Sequence, residues 1–337
     1  MSEPCTEARR LADEGRLAEQ HGDPQAALEC YARAARLLQE GDPVPLLADV
    51  IRWTGTVHRE LGNLPEAEAQ YASALALAER ADHGCGRAHA LNCMAIVAQR
   101  RGTLDRAERL FHGAAELAEE FGEPRLRAMV QHNLGILADN RGDRPQALAC
   151  FQAALNTFRE AGEPCGQCEV LNSLGILHGK LQAWAESEEA FAQGMALARE
   201  HDFTAVVEIM ETNRAEMRAC AGRADQAEAG LAGVASEDRR GPRRTAERLK
   251  ARARVQEERG ELGDALELLE RARVLAAEAG DPLLEAEVMR AAGEAWRRKG
   301  ERDRAREMWM QALRGFDGIG ARGDAADVEE RIARLAA

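Results

Sequence analysis

The chain has 337 residues, 45% of them hydrophobic and 31% charged, with a net charge of −13. A negative balance argues against non-specific nucleic-acid binding, which needs a positive surface to release phosphate counterions. No stretch approaches the roughly 18 apolar residues of a membrane span. The opening MSEPCTEARRLADEG lacks the basic and apolar regions of a secretory signal. Eight cysteines (Cys5, Cys30, Cys85, Cys93, Cys150, Cys165, Cys168 and Cys220) are scattered along the chain, so reduced thiols in a cytoplasm are expected. Only three of the 45 basic residues are lysine (Lys180, Lys250 and Lys299). With abundant Ala, Gly and Arg, this reads as the coding bias of a GC-rich, bacterial genome.

In chain order the elements are helices in pairs. A turn residue recurs at Gly22, Gly62, Gly102, Gly142, Gln182, Gly222, Gly260 and Gly300. Glycine there suits a helix C-terminus that must pass through positive φ, and Gln182 is the departure. Seven residues before the turn stands a small residue: Gly15, Gly55, Ala95, Gly135, Gly175, Ala215, Ala253 and Gly293. Nine residues after it stands a large one: Tyr31, Tyr71, Phe111, Phe151, Phe191, Leu231, Leu269 and Trp309. Small residues let helix axes approach and the large one fills the gap. Apolar residues recur with helical spacing and nothing alternates as a strand would.

The spacing predicts eight helix pairs, at about residues 5–41, 42–83, 84–123, 124–163, 164–202, 203–240, 241–281 and 282–320. A capping helix at 322–337 completes one domain over residues 1–337. Pairs six to eight are degenerate, because the leucine eight residues before the turn becomes Arg214, Arg252 and Ala292. Looser packing or a local shift in register is expected there.

The Asn133–Leu134–Gly135 motif before the turn, Ala147 after it, then Phe151 and Ala154, resembles the tetratricopeptide repeat. The forty-residue unit is similar to the long-helix variant of kinesin light chains, maltose-regulator-type activators and bacterial peptide-pheromone receptors. The resemblance covers about residues 5–320. It implies an all-α fold, a right-handed superhelical solenoid of about eight helix-turn-helix repeats, and a protein or peptide partner.

By the same resemblance, the first helix of each pair lines a concave face, at positions 13, 10, 9 and 6 before the turn. Four successive pairs place an asparagine there: Asn92, Asn133, Asn172 and Asn213. Asparagine costs about half a kcal/mol against alanine inside a helix. One reading is an amide ladder matching the backbone of an extended peptide. The other is a family habit, bonding adjacent helices. The register is imperfect, because Asn92 and Asn172 sit one residue early, about 100° around the helix. Arg52, Trp53, His89, Met129 and His132 give the N-terminal half an aromatic and basic character. Lys250, Arg254 and Arg290 lie beside Glu247 and Glu287 in the C-terminal half. A peptide with acidic and apolar groups suits such a surface. The family's carboxylate-clamp pattern is not matched residue by residue.

Other constellations carry less. Cys165 and Cys168 form a CxxC at a helix start, but without the strand of a redox fold. His83, Cys85, His89 and Cys93 have partial metal-ligand spacing, yet Cys85 and Cys93 stand about 12 Å apart along a helix axis. The basic run 237–254 has no aromatic residue for base stacking. There is no phosphate loop, no nucleophile elbow, no zinc-protease motif and no appended helix-turn-helix. The expected function is therefore a non-catalytic interaction scaffold or regulatory subunit without cofactor or metal. It binds a peptide segment or partner helix through Asn92, Asn133, Asn172 and Asn213, with Arg52, Trp53, His89, His132 and Lys250 in support. The alternatives are a regulator of a separately encoded protease, kinase or nuclease, a thiol redox sensor, and an RNA-binding surface.

Overall fold

A computed structural model describes residues 3–38, 44–234 and 241–336. Every element among them is helical. They fall into two compact units.

The first unit holds α1 (Glu3–Gln20), α2 (Pro24–Leu38), α3 (Val44–Glu60), α4 (Leu64–Arg80), α5 (Gly84–Arg100), α6 (Leu104–Glu120) and the start of α7 (Pro124–Arg141), as far as Val130. The second takes α7 from Gln131, then α8 (Arg144–Glu160), α9 (Pro164–Lys180), α10 (Trp184–Glu200), α11 (Thr204–Cys220) and α12 (Ala224–Leu231). It continues with α13 (Pro242–Glu258), α14 (Leu262–Glu278), α15 (Pro282–Arg298), α16 (Arg302–Ile319) and α17 (Arg322–Ala336).

The turns explain the repeat. Gly22, Gly62, Gly102, Gly142, Gly222, Gly260 and Gly300 all have positive φ, and Gln182 takes the same conformation at φ 59°. The turns between pairs do likewise, with Asp82, Gly122, Gly162, Asp202, Gly280 and Gly320. From residue 62 to 222 a left-handed residue therefore falls every twenty positions. Each closes the helix before it. At Gly142, its own N–H donates to the Asp139 carbonyl at 2.9 Å, and the Asp143 N–H reaches back to Ala138 at 2.9 Å. These bonds satisfy carbonyls that a helix end would otherwise strand. Asp143 then caps the next helix, accepting from the Gln146 N–H at 3.1 Å.

The small–large pattern is the packing between the two helices of a pair. A Cβ added to Gly15, Gly55, Gly135, Gly175 or Gly293 would fall 2.3–2.8 Å from the ring of Tyr31, Tyr71, Phe151, Phe191 or Trp309. All five rings are at most 2% exposed. Each aromatic occupies the volume that its partner glycine leaves vacant.

Degeneracy is localised. The second helix of pair six, α12, has only eight residues, while α14 and α16 have 17 and 18. Arg214, at the leucine position of that pair, turns to Glu188 on α10 at 2.6 Å. Arg218 joins the same carboxylate at 2.6 Å. An ion cluster thus replaces an apolar contact there.

Candidate binding surface on the first helices

In the first unit the expected residues centre on Trp53 of α3. Its ring stacks with Tyr31 at 6.0 Å between centroids and 28° between planes. The guanidinium carbons of Arg16 and Arg52 stand 5.5 and 5.4 Å from its centroid. Arg52 also pairs with Asp49 at 2.8 Å. On α5, burial and then the Arg52 charge hold the His89 pKa down to about 4, so its imidazole is neutral at pH 7. Asn92 is only 1% exposed and belongs to the packed interior rather than to an open surface.

The second unit reveals a stagger that sequence register hides. Neighbouring first helices touch at residues 41 apart. The Nδ2–H of Asn213 donates to Asn172 Oδ1 at 2.9 Å. His132 Nε2 lies 2.9 Å from Ser173 Oγ. The Lys180 ammonium meets Asp139 at 2.6 Å. The one-residue offset between Asn172 and Asn213, which reads as a fault in sequence, is what brings them together. Both are half-buried, as is Asn133. The pair leaves the Asn172 amide N–H groups and the Asn213 carbonyl oxygen outside their mutual bond.

His132 is 7% exposed and packs against Phe151, with centroids 5.6 Å apart. Burial lowers its pKa to about 4. Ser173 Oγ donates to the Glu169 carbonyl, so the His132 Nε2–H donates to Ser173. His132 therefore joins α7 to α9 instead of facing solvent.

Lys250 is also committed within the fold. It lies 2.7 Å from Glu287 and 3.3 Å from Glu216. Burial alone would lower its pKa, but the two carboxylates outweigh it and raise it. In Glu287, burial is outweighed by Lys250, Lys180 and Arg290, and its pKa falls to about 2. Arg290 continues the ladder to Asp324 at 2.6 Å. Opposite charges thus pair neighbouring first helices, with Asp139 and Lys180 one 41-residue stride apart.

Most of the basic run is paired with carboxylates where it is described, Arg252 bonding instead to the Val234 carbonyl, and residues 237–240 lie outside the described residues. Arg243 meets Asp281 at 2.8 Å, Arg244 meets Glu247 at 3.1 Å, and Arg248 meets Glu208 at 2.9 Å. All eight cysteines are free thiols. Cys168 is buried and donates to the Gly194 carbonyl at 3.4 Å. Burial, then Glu169, pushes its pKa to about 11, far from a reactive thiolate. Among the described residues no group of three or more His, Cys, Asp or Glu is placed to hold a metal ion. No helix among them is long and apolar enough to cross a membrane.

Residues 86–160, spanning α5 to α8, match the family model of the tetratricopeptide repeat. No curated protein matches the sequence. Among solved structures, the Rap conjugation gene regulator of plasmid pLS20, in complex with the Phr* peptide, is 17% identical with a TM-score of 0.65. That match covers 81% of this chain and 74% of that one. Aspartyl phosphate phosphatase F from Bacillus subtilis is 14% identical with a TM-score of 0.57, over 81% of this chain and 70% of that one. A Rap protein complexed with Competence and Sporulation Factor is 14% identical with a TM-score of 0.54, over 98% and 96%. At these identities the likeness is one of fold. The left-handed turns and glycine–aromatic pairs of the matched segment recur in the helix pairs before and after it, and residues 86–160 are identified as tetratricopeptide repeats.

Proposed function

We propose that this chain is a non-catalytic regulatory or adaptor protein that binds a peptide segment of a partner along its first helices. The observation that carries this reading is the amide pair of Asn172 and Asn213, half-buried on neighbouring helices. One amide keeps donors and the other an acceptor, the complement of an extended backbone. Asn133, one stride earlier in sequence, is the third contact of the same type. The first unit, taken by itself, offers a separate aromatic surface at Trp53 with Arg52 and His89. Asn92, His132 and Lys250 act through the packing and charge of the helices that carry the contacts. The similarity in fold to Rap proteins solved with a Phr* peptide and with Competence and Sporulation Factor supports a peptide as the ligand class. A regulator acting on a separately encoded enzyme is one form of this reading, and a conjugation gene regulator stands among the similar folds.

The test is selection of a displayed random dodecapeptide library on the full chain and on a variant carrying Asn133→Ala, Asn172→Ala and Asn213→Ala. Circular dichroism first establishes equal helicity. The expected result is a peptide consensus retained by the parent and lost by the variant. Equal retention by both assigns the asparagines to helix–helix bonding and overturns their role as contacts.

A further inference from the structure

The cations on the first helices of the second unit are matched by carboxylates: Lys180 by Asp139, Lys250 by Glu216 and Glu287, and Arg290 by Asp324. In the first unit Arg10 and Arg59 are likewise matched, by Glu7 with Glu14 and by Glu60, and the exception is Arg16. Arg16 on α1 is exposed and makes neither an ion pair nor a hydrogen bond among the described residues. Its contact is the Trp53 ring. Glu19, one turn on along the same helix, accepts from the Tyr31 hydroxyl, is partly buried, and feels the Arg16 charge without forming an ion pair with it. Arg52 is matched only in part. Asp49 takes one Nη2–H, while the buried Nε–H has no acceptor. Trp53 holds both guanidiniums against its ring, and Tyr31 holds Trp53. A guanidinium held over an indole by its charge keeps N–H groups able to bond a planar anion. Arg16 with exposed donors and a largely buried Arg52 thus gather at one aromatic residue, in a chain whose net charge is −13.

We propose that Arg16, Arg52 and Trp53 form a subsite for a carboxylate carried beside an apolar side chain in the bound segment. The carboxylate takes the free edge of Arg16 under the field of Arg52, and the apolar neighbour packs on the indole. This rests on the peptide-binding reading and assigns one position of the ligand. An acidic side chain and a C-terminal carboxylate share the chemistry.

The test uses the peptide selected on the full chain, its Glu→Gln or Asp→Asn version, and its C-terminally amidated version. Each is titrated by fluorescence anisotropy against the parent protein, Arg16→Gln and Arg16→Glu. Arg16 is exposed, so these variants keep the fold. The expected result is an acidic consensus position. Neutralising it weakens binding to the parent about five- to tenfold, while Arg16→Gln shows the same loss and no further loss with the neutral peptide. Arg16→Glu then prefers a lysine at that position. If amidation alone produces the loss, the carboxylate is the chain end of the ligand. A consensus without an acidic position, or equal affinities for the parent and Arg16→Gln, overturns the subsite and leaves the peptide reading intact. Retention of no peptide at all overturns both.

Discussion

Gly135 and Phe151 share one volume: a Cβ on the glycine would lie 2.6 Å from two atoms of the phenyl ring. The ring is buried and also packs against His132, one turn away on the same helix as Gly135, so it has little room to retreat. Gly135→Ala should therefore destabilise the chain by about 1–3 kcal/mol despite alanine's better helix propensity. Phe151→Leu alone should also destabilise, by opening a void. The double substitution should recover part of the loss, because the added methyl enters space the ring has left. Urea unfolding of the four proteins checks the sign of this coupling.

The turn positions offer a matched pair with opposite expectations. Gln182 carries φ 59° where its counterparts are glycine. Left-handed backbone costs a residue with a Cβ about 1 kcal/mol or more. Gln182→Gly should stabilise by a few tenths to about 1 kcal/mol after the added chain entropy of glycine is counted. Gly142→Ala should do the reverse and by more. Its φ is 86°, and the new methyl would lie 2.7 Å from the Gly323 Cα. Thermal unfolding of both variants should give shifts of opposite sign.

These positions also show why some features were readable in sequence and others were not. Gly135 and Phe151 announce themselves because close approach of a side chain to the helix favours glycine or alanine and the void beside it favours a large side chain, so residue type follows geometry. Helix pairing was legible for that reason. Asn172 and Asn213 were legible as unusual residues but not as a bonded pair. Their contact depends on a one-residue stagger between neighbouring helices, which residue type does not encode. Lys250 reads in sequence as a cation lining a groove. Its carboxylate partners at Glu216 and Glu287 lie 34 and 37 residues away, distances that only the packed helices make short. Arg16 carries no signal in sequence, since an exposed arginine on a helix has many ordinary explanations and its contact with the Trp53 ring is tertiary.

The buried histidine gives stability a defined pH dependence. His132 has a folded pKa of about 4 against an ordinary 6.5, because burial disfavours its charged form. The unfolded chain therefore binds the proton first as pH falls. The stability due to neutral His132 is fully present above about pH 6.5 and is lost progressively toward pH 4, by an amount on the order of 3 kcal/mol. Urea unfolding at pH 7.5, 6, 5 and 4 should show this slope. His132→Gln should reduce the slope by about half, since His89 has the same lowered pKa of about 4, while lowering stability at pH 7.5. An unchanged slope in the variant would place the titrating group elsewhere.

Lys250 tests whether the charge ladder of the second unit is structural. Its ammonium answers two carboxylates, each about a fifth exposed. Lys250→Met removes the cation but keeps the length of the side chain, leaving Glu216 and Glu287 to repel one another in a partly buried site. Because water still reaches them, the penalty is discounted from that of a fully buried broken pair to about 1–3 kcal/mol. Adding Glu287→Gln to Lys250→Met should restore much of that loss, since one orphaned charge is then gone and the amide can still bond. Glu287 is held at a pKa of about 2 chiefly by Lys250, with burial opposing. The part of stability that it contributes above its ordinary pKa of 4.5 is lost as pH falls toward 2, and Lys250→Met should shrink that acid-side component. Unfolding of the single and double variants between pH 7 and pH 3 checks both effects. If Lys250→Met were neutral at pH 7 and left the acid limb unchanged, the ammonium would be free to serve a ligand instead of its neighbours.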